Sequence, residues 1–112
     1  MVNKAHEMFR DGNLLLAADL CRDTLKIDAN NVEALNLLAA VLTEGGLNEQ
    51  ALKFLAQSLL VGGPNSAVLY NYGVALRATG RLIEATRAFT NAVQASPERA
   101  DCWFILGETQ RH

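Results

Sequence analysis

The sequence predicts an all-α protein made of antiparallel helix pairs. In the stretch 66–99, two segments carry apolar or small residues at every third or fourth position, which is the spacing of one helical face. Gly80 interrupts the pattern between the segments, and Pro97 ends the second one because proline cannot continue a helix. Neither helix can bury its apolar face alone, so we expect the pair to be the structural unit.

This unit recurs along the chain at a period of about 34 residues, which is a known period for helical repeats. A turn glycine and a small residue in the second helix recur together in three copies, as Gly12 with Ala17, Gly46 with Ala51, and Gly80 with Ala85. We therefore predict seven helices in one domain, 1–112. Its units are 1–31, which is slightly truncated, 32–65 and 66–99, followed by a single helix at 100–112.

The residues at these positions resemble the signature of the tetratricopeptide-repeat family. That signature reads Trp-x2-Leu-Gly-x2-Tyr, then Ala-x3-Phe, then Pro. The third unit follows it with Leu69-x2-Tyr72-Gly73, Ala85-x3-Phe89 and Pro97, and Trp103-x2-Leu106-Gly107 matches the opening of the next unit. The resemblance implies a right-handed α-solenoid with a concave face lined by the first helix of each pair, and protein–protein interaction as the function.

Composition and charge narrow the class of protein. Half of the 112 residues are hydrophobic, which argues against disorder, and the net charge of −2 argues against a protein that binds nucleic-acid phosphates. No apolar segment is typical of a secretory signal or long enough for a membrane span. Cys21 and Cys102 belong to distant repeats, so we expect unpaired thiols, a reducing compartment and a cytoplasmic location.

Local signals predict several helix boundaries. Asn13 is the expected N-cap of the second helix. Asn30, with Glu33 three residues later, resembles a capping box at the start of the third helix. Gly62-Gly63-Pro64 is interpreted as a helix end followed by a turn rather than as a hinge.

No constellation of catalytic or metal-ligating residues is evident in the sequence. His6 and His112 lie at opposite ends of the chain, and no Cys-x-x-Cys or His-x-x-x-His spacing occurs. Cys21 takes the repeat position of Phe89, so we interpret it as a small buried hydrophobe rather than a reactive thiol. We expect no enzymatic activity, no metal and no cofactor.

A second stripe on the first helix of each pair lies off the predicted core face. Its apolar and aromatic members suit the anchoring of a peptide, and its polar members can form hydrogen bonds. The alternative is a solvated face, because scattered apolar surface residues are normal. The candidate binding residues are Asn3, His6, Asn36, Leu37, Thr43, Tyr70, Asn71, Val74, Arg77 and Phe104. The wider stripe adds Arg10, Glu33, Ala40, Glu44, Ala67, Asp101 and Glu108.

The resemblance also implies two recognition modes on this stripe. One subfamily binds chaperone C-terminal carboxylates through a Lys/Arg/Asn clamp, and another grips extended backbone with a ladder of asparagines. The clamp places hold Val2, His6, Leu37, Ala67 and Asn71, with no Lys or Arg, so the clamp is disfavoured. Asn3 and Asn71 occupy ladder places, but Leu37 and Ile105 interrupt the ladder.

We expect a non-catalytic module that binds a peptide or protein partner on its concave face, without nucleic acid or membrane. One alternative is the N-terminal or regulatory portion of a larger enzyme, such as a glycosyltransferase, sulfotransferase or methyltransferase. The other is a nucleic-acid-binding helical repeat, which the acidic balance disfavours.

The last helix carries the opening signature of a pair, and this feature predicts an uncovered surface. We expect Trp103 to pack back on the preceding pair, and the flank around Cys102, Phe104, Ile105 and Gly107 to lack a cover. Apolar residues left open there predict either a longer array or self-association through the C-terminal helix.

Overall fold

The structure is a computed structural model that describes residues 2–111, apart from the side chain of Val2. The predicted start at Met1, the second histidine, His112, and the clamp place at Val2 therefore lie outside the described residues. The described part contains seven helices and no strand. The helices are α1 (Val2–Arg10), α2 (Leu14–Ile27), α3 (Val32–Glu44), α4 (Asn48–Gly62), α5 (Ser66–Ala78), α6 (Leu82–Ala95) and α7 (Ala100–Gln110).

The turns inside the three helix pairs share one hydrogen-bonding motif. Asn13 N–H donates to the Met8 carbonyl at 2.8 Å, Leu47 to Leu42 at 2.8 Å, and Arg81 to Leu76 at 2.9 Å. Each bond closes the C-terminus of a first helix, as in a Schellman motif. The motif requires a left-handed residue before the donor, which explains the recurring glycines Gly12, Gly46 and Gly80, with φ of 81°, 80° and 82°.

Asparagine side chains start three of the helices. Asn13 Oδ1 accepts from Leu16 N–H at 3.3 Å, as expected for the cap of α2, and Asn65 caps α5 through two backbone amides. The prediction for α3 is wrong by one residue, because Asn31 accepts from Ala34 N–H at 2.9 Å and is the cap. Asn30 is taken up instead in a turn closed by Asp28 Oδ1, so the helix begins one residue later.

The core runs along the seam between first and second helices. Ala17, Ala51 and Ala85 are fully buried, which fits a close helix crossing at each copy of this position. Phe89 and its two repeat equivalents, Leu55 and Cys21, are also fully buried. The interpretation of Cys21 as a small core residue is confirmed, and burial raises the pKa of its thiol from 9.0 to about 11.

The expectation for the faces of α7 is wrong for Cys102 and holds for Phe104. Trp103 contacts the preceding pair only in part, through the hydrogen bond that its Nε1–H donates to the Pro97 carbonyl at 2.8 Å. Cys102 is fully buried and Leu106 is 8% exposed, whereas Trp103 is 53% and Phe104 is 71% exposed. Cys102, Leu106 and Thr109 share one face at helical spacing, and that face packs on α6. Trp103 follows Cys102 directly, so it is turned away from α6 by about 100°.

The helix pairs stack in chain order into an elongated body of 39 × 25 × 23 Å. Each pair contacts the next, and the first helices also contact one another, α1 with α3 and α3 with α5. Among the helices of residues 2–111, none has the length and apolar character needed to cross a bilayer.

Candidate functional site

The first helices of the three pairs line a cleft of about 390 Å³, which we call the central cleft. Because α1, α3 and α5 lie side by side, residues from all three reach it. Its lining residues are Phe9, Ala40, Thr43, Glu44, Tyr70, Asn71 and Val74. Four of the candidate residues therefore come together, namely Thr43, Tyr70, Asn71 and Val74.

Phe9 is the cleft residue that the sequence analysis missed. It comes from α1, whereas the rest of the lining comes from α3 and α5. Phe9 is the repeat equivalent of Thr43 and Arg77, both of which were candidates. Alignment of the repeats could therefore have identified Phe9 as a candidate too. Ala40 and Glu44 belonged to the wider stripe and prove to line the cleft.

The remaining exposed candidates are dispersed. Asn3 and His6 line a separate open depression of about 540 Å³ on α1, together with Glu7, Phe9 and Arg10. Phe9 is the residue that borders both spaces. Arg77 is partly buried, and neither it nor Phe104 is among the residues that line the central cleft.

Leu37 is not on the exposed stripe, and its placement there was wrong. Its side chain is 4% exposed and belongs to the hydrophobic core. The helix that carries it, α3, is the middle one of the three first helices and is covered by α1 and α5 as well as by α2 and α4. A helix packed on four sides buries a wider arc than the single stripe assumed from sequence.

An amide–amide hydrogen bond joins α3 and α5 beside the cleft. Asn71 Nδ2 donates to Asn36 Oδ1 at 3.0 Å. Both side chains were candidates, and the structure connects them to each other. Within the described chain this bond leaves Oδ1 of Asn71 and Nδ2 of Asn36 available for a ligand.

Tyr70 connects the cleft to the core and to the following loop. Its ring lies 6.0 Å from that of Phe89, at an interplanar angle of 58°. The guanidinium of Arg99, which lies in the loop before α7, is 5.6 Å from the centroid of the Tyr70 ring. Arg99 also donates to both carboxylate oxygens of Asp101, at 3.2 and 2.6 Å, and this bond lowers the pKa of Asp101.

A second, smaller depression lies on the side of the second helices. It measures about 250 Å³ and lies among residues of α4, α5 and α6. It is lined by Leu59, Leu69, Tyr72, Leu76, Glu84, Arg87, Ala88 and Asn91. In the part of the chain that the structure describes, no group of three or more His, Cys, Asp or Glu residues is placed to hold a metal ion.

Comparison with solved structures identifies close structural neighbours at low sequence identity. A mutant of Thermobaculum terrenum O-GlcNAc transferase matches at 26% identity and a TM-score of 0.93, over 96% of this chain and 21% of that one. MamA matches at 23% identity and a TM-score of 0.87, over 96% of this chain and 63% of that one. This chain thus spans only part of either protein.

A third neighbour is a separate domain with a bound peptide. The first tetratricopeptide-repeat domain of Spaghetti (RPAP3), bound to the HSP90 peptide SRMEEVD, matches at 16% identity and a TM-score of 0.93, over 97% of this chain and 86% of that one. No protein-family model and no curated protein matches the sequence. The structural matches confirm the expected all-α tetratricopeptide-repeat fold.

Proposed function

We propose that this chain, which has the tetratricopeptide-repeat fold, is a non-catalytic module that binds a peptide segment of a partner protein in the central cleft. The observation that carries the proposal is the cleft itself. It combines two aromatic walls, Phe9 and Tyr70, with the side chain of Val74 and the polar groups of Thr43 and Asn71. Apolar anchors with a few convergent polar groups are typical of peptide sites.

The structural neighbours support this proposal at the level of the fold. The Spaghetti (RPAP3) domain, which this chain matches over most of its length, has a bound peptide. That peptide is rich in carboxylates, and the clamp places of this chain hold no Lys or Arg. We therefore expect a different peptide chemistry here. The alternative of a portion of a larger enzyme is not favoured, because the peptide-bound neighbour is a separate domain that this chain matches over 97% of its own length and 86% of that domain.

Selection of peptides with the isolated protein tests this proposal. Binders from a random displayed library are to be mapped by amide chemical shifts, and the perturbation is expected to centre on Tyr70, Asn71 and Val74. The variant Val74→Ala removes an apolar side chain from the cleft without changing its charge and should weaken binding. The matched control Arg87→Ala changes an exposed residue on the far side and should leave binding unchanged. Shifts confined to Arg87 and Asn91 would move the site to the second depression and contradict the proposal.

We also propose that α7 mediates self-association. A Cβ at Gly107 would find no atom within 4 Å, although the repeat equivalent at Gly73 would meet Phe89. Trp103 is 53% exposed, whereas its equivalents Leu35 and Leu69 are 1% and 6% exposed. A second copy presenting the same face would cover this surface, since burial of large apolar side chains is favourable.

A further inference from the structure

The polar atoms of the central cleft are mostly hydrogen-bond acceptors. The hydroxyl of Thr43 donates to the Ala39 carbonyl at 2.9 Å, so its oxygen can only accept from a ligand. Asn71 has committed one of its two Nδ2 hydrogens to Asn36 and retains the other together with Oδ1. The hydroxyl of Tyr70 can both donate and accept. The carboxylate of Glu44 accepts only. A ligand that satisfies these groups must therefore bring donors.

Among the described residues that line the central cleft, the charge comes from Glu44 and is negative. Glu44 is exposed and makes no ion pair with the described residues, and no Lys, Arg or His is among those that line the cleft. Arg99 approaches the Tyr70 ring, but its charge is balanced by the bidentate bond to Asp101. An anionic ligand would find no cation in the lining to pair with, whereas a cation would find Glu44.

The apolar walls suit the same ligand. Phe9 and Tyr70 present aromatic rings to the cleft, and guanidinium and ammonium groups are attracted to ring faces. The Arg99 guanidinium already lies over one face of the Tyr70 ring, so the ring of Phe9 is the one on which a ligand cation would stack. A planar guanidinium both stacks on aromatic rings and donates in a fork, which an ammonium group does not do.

From these features we infer that the central cleft binds a basic side chain of an extended peptide, with arginine preferred over lysine. This inference rests on the proposed function and specifies the ligand of the same site. The expected peptide is opposite in charge to the acid-rich peptide on the Spaghetti (RPAP3) domain. The cleft volume of about 390 Å³ lies within the usual range for ligand sites.

Four peptides test the inference. They are acetylated and amidated heptapeptides of glycine and serine that differ only in the central residue, which is arginine, citrulline, lysine or glutamate. Titration of the isotope-labelled protein should show that the arginine peptide shifts the amides of Glu44, Tyr70 and Asn71. It should bind about fivefold more tightly than the citrulline peptide, which has nearly the same shape without the charge. The affinity of the lysine peptide should lie between those of the arginine and citrulline peptides.

The matched variants are Glu44→Gln and Glu33→Gln. Both residues are exposed on α3, but only Glu44 lines the cleft. The arginine-over-citrulline preference should disappear in Glu44→Gln and persist in Glu33→Gln. Equal affinity of the four peptides, a preference for glutamate, or no shift with any of them would overturn the inference. Library binders that need Val74 but contain no basic residue would also overturn it, while leaving the proposed function standing. Library binders that map elsewhere would overturn the proposed function itself.

Discussion

A Cβ atom at Gly73 would lie 2.5 Å from Cε1 of Phe89 and 2.7 Å from its Cδ1. The ring of Phe89 therefore rests directly on the backbone of α5, and only glycine leaves room for it. In the other two pairs, the place of Gly73 holds Ala39 and Ala5, and the place of Phe89 holds the smaller Leu55 and Cys21. All four of these residues are fully buried. The larger side chain on the second helix is thus matched by the smaller one on the first.

Gly73→Ala should destabilise the protein by about 1–3 kcal/mol, because the added methyl group overpacks the seam against a fully buried ring. The measurement is the free energy of unfolding by denaturant. Gly107→Ala is the matched control, since its methyl group meets no atom within 4 Å. That change should be neutral or stabilise by about 0.5–1 kcal/mol through helix propensity. Equal losses in both variants would contradict the packing account.

Phe89→Leu should partly rescue Gly73→Ala. The double variant reproduces the Ala39 and Leu55 combination of the second pair. A double-mutant cycle should give a favourable coupling between the two changes, because they share one contact. Strict additivity would show that the glycine is required for another reason.

Ala51→Leu should cost about 1–3 kcal/mol, because Ala51 is fully buried where α3 and α4 cross. Lys53→Ala, at an exposed position on the same helix, should change stability by no more than about 0.5 kcal/mol. Thermal unfolding of the two variants checks this prediction. Similar melting temperatures would mean that the alignment of the repeats is wrong.

Stability should fall at alkaline pH through Cys21. Burial raises the pKa of its thiol from 9.0 to about 11, so between these values the folded protein holds a proton that the unfolded chain releases. The contribution of this thiol to the free energy of unfolding should therefore be constant below about pH 9 and should decrease as the pH rises toward 11. Cys21→Ala should show a shallower decrease over the same window. Parallel pH profiles would exclude a contribution from this thiol.

Self-association should appear as a rise in weight-average mass above 12.2 kDa with increasing concentration. Phe104→Glu should weaken this self-association, because the Phe104 side chain on α7 is 71% exposed and is available to a second copy. Ile83→Glu is the matched control, since Ile83 is 76% exposed but lies on α6. Sedimentation equilibrium is the measurement. A monomer at every concentration, or an equal effect of both variants, would contradict the proposal.

The helices and their turns could be predicted from sequence because their causes are local. The described residues form the seven helices that the repeat predicts, and the glycines at the intrapair turns are required by a backbone angle that depends on a few neighbouring residues. The one-residue error at Asn30 also has a local cause. Asn30 and Asn31 are both suitable caps, but the Asn30 N–H bonds to Asp28 Oδ1 in the preceding turn, and Asn31 therefore caps the helix.

The faces of the helices were less predictable. Leu37 was assigned to the exposed stripe and is buried. Trp103 was expected to pack back on the preceding pair, but it reaches that pair only with its Nε1–H and leaves half of its side chain exposed. Leu37 is buried because α3 has neighbours on four sides, and Trp103 is exposed because no helix of the described chain lies over its side of α7. The periodicity of a single helix does not reveal how many neighbours it has.

The sequence by itself determined the all-α repeat, the positions of the turns and caps, and the small residues of the seam, because each depends on short-range geometry or on a spacing that repeats. Only the tertiary structure decided which residues share a site. It brought Phe9 from α1 to Tyr70 and Glu44, and it joined Asn71 to Asn36. The physical reason is that the first helices lie side by side because each pair packs on the next, so the cleft is a property of the stack and of no single repeat.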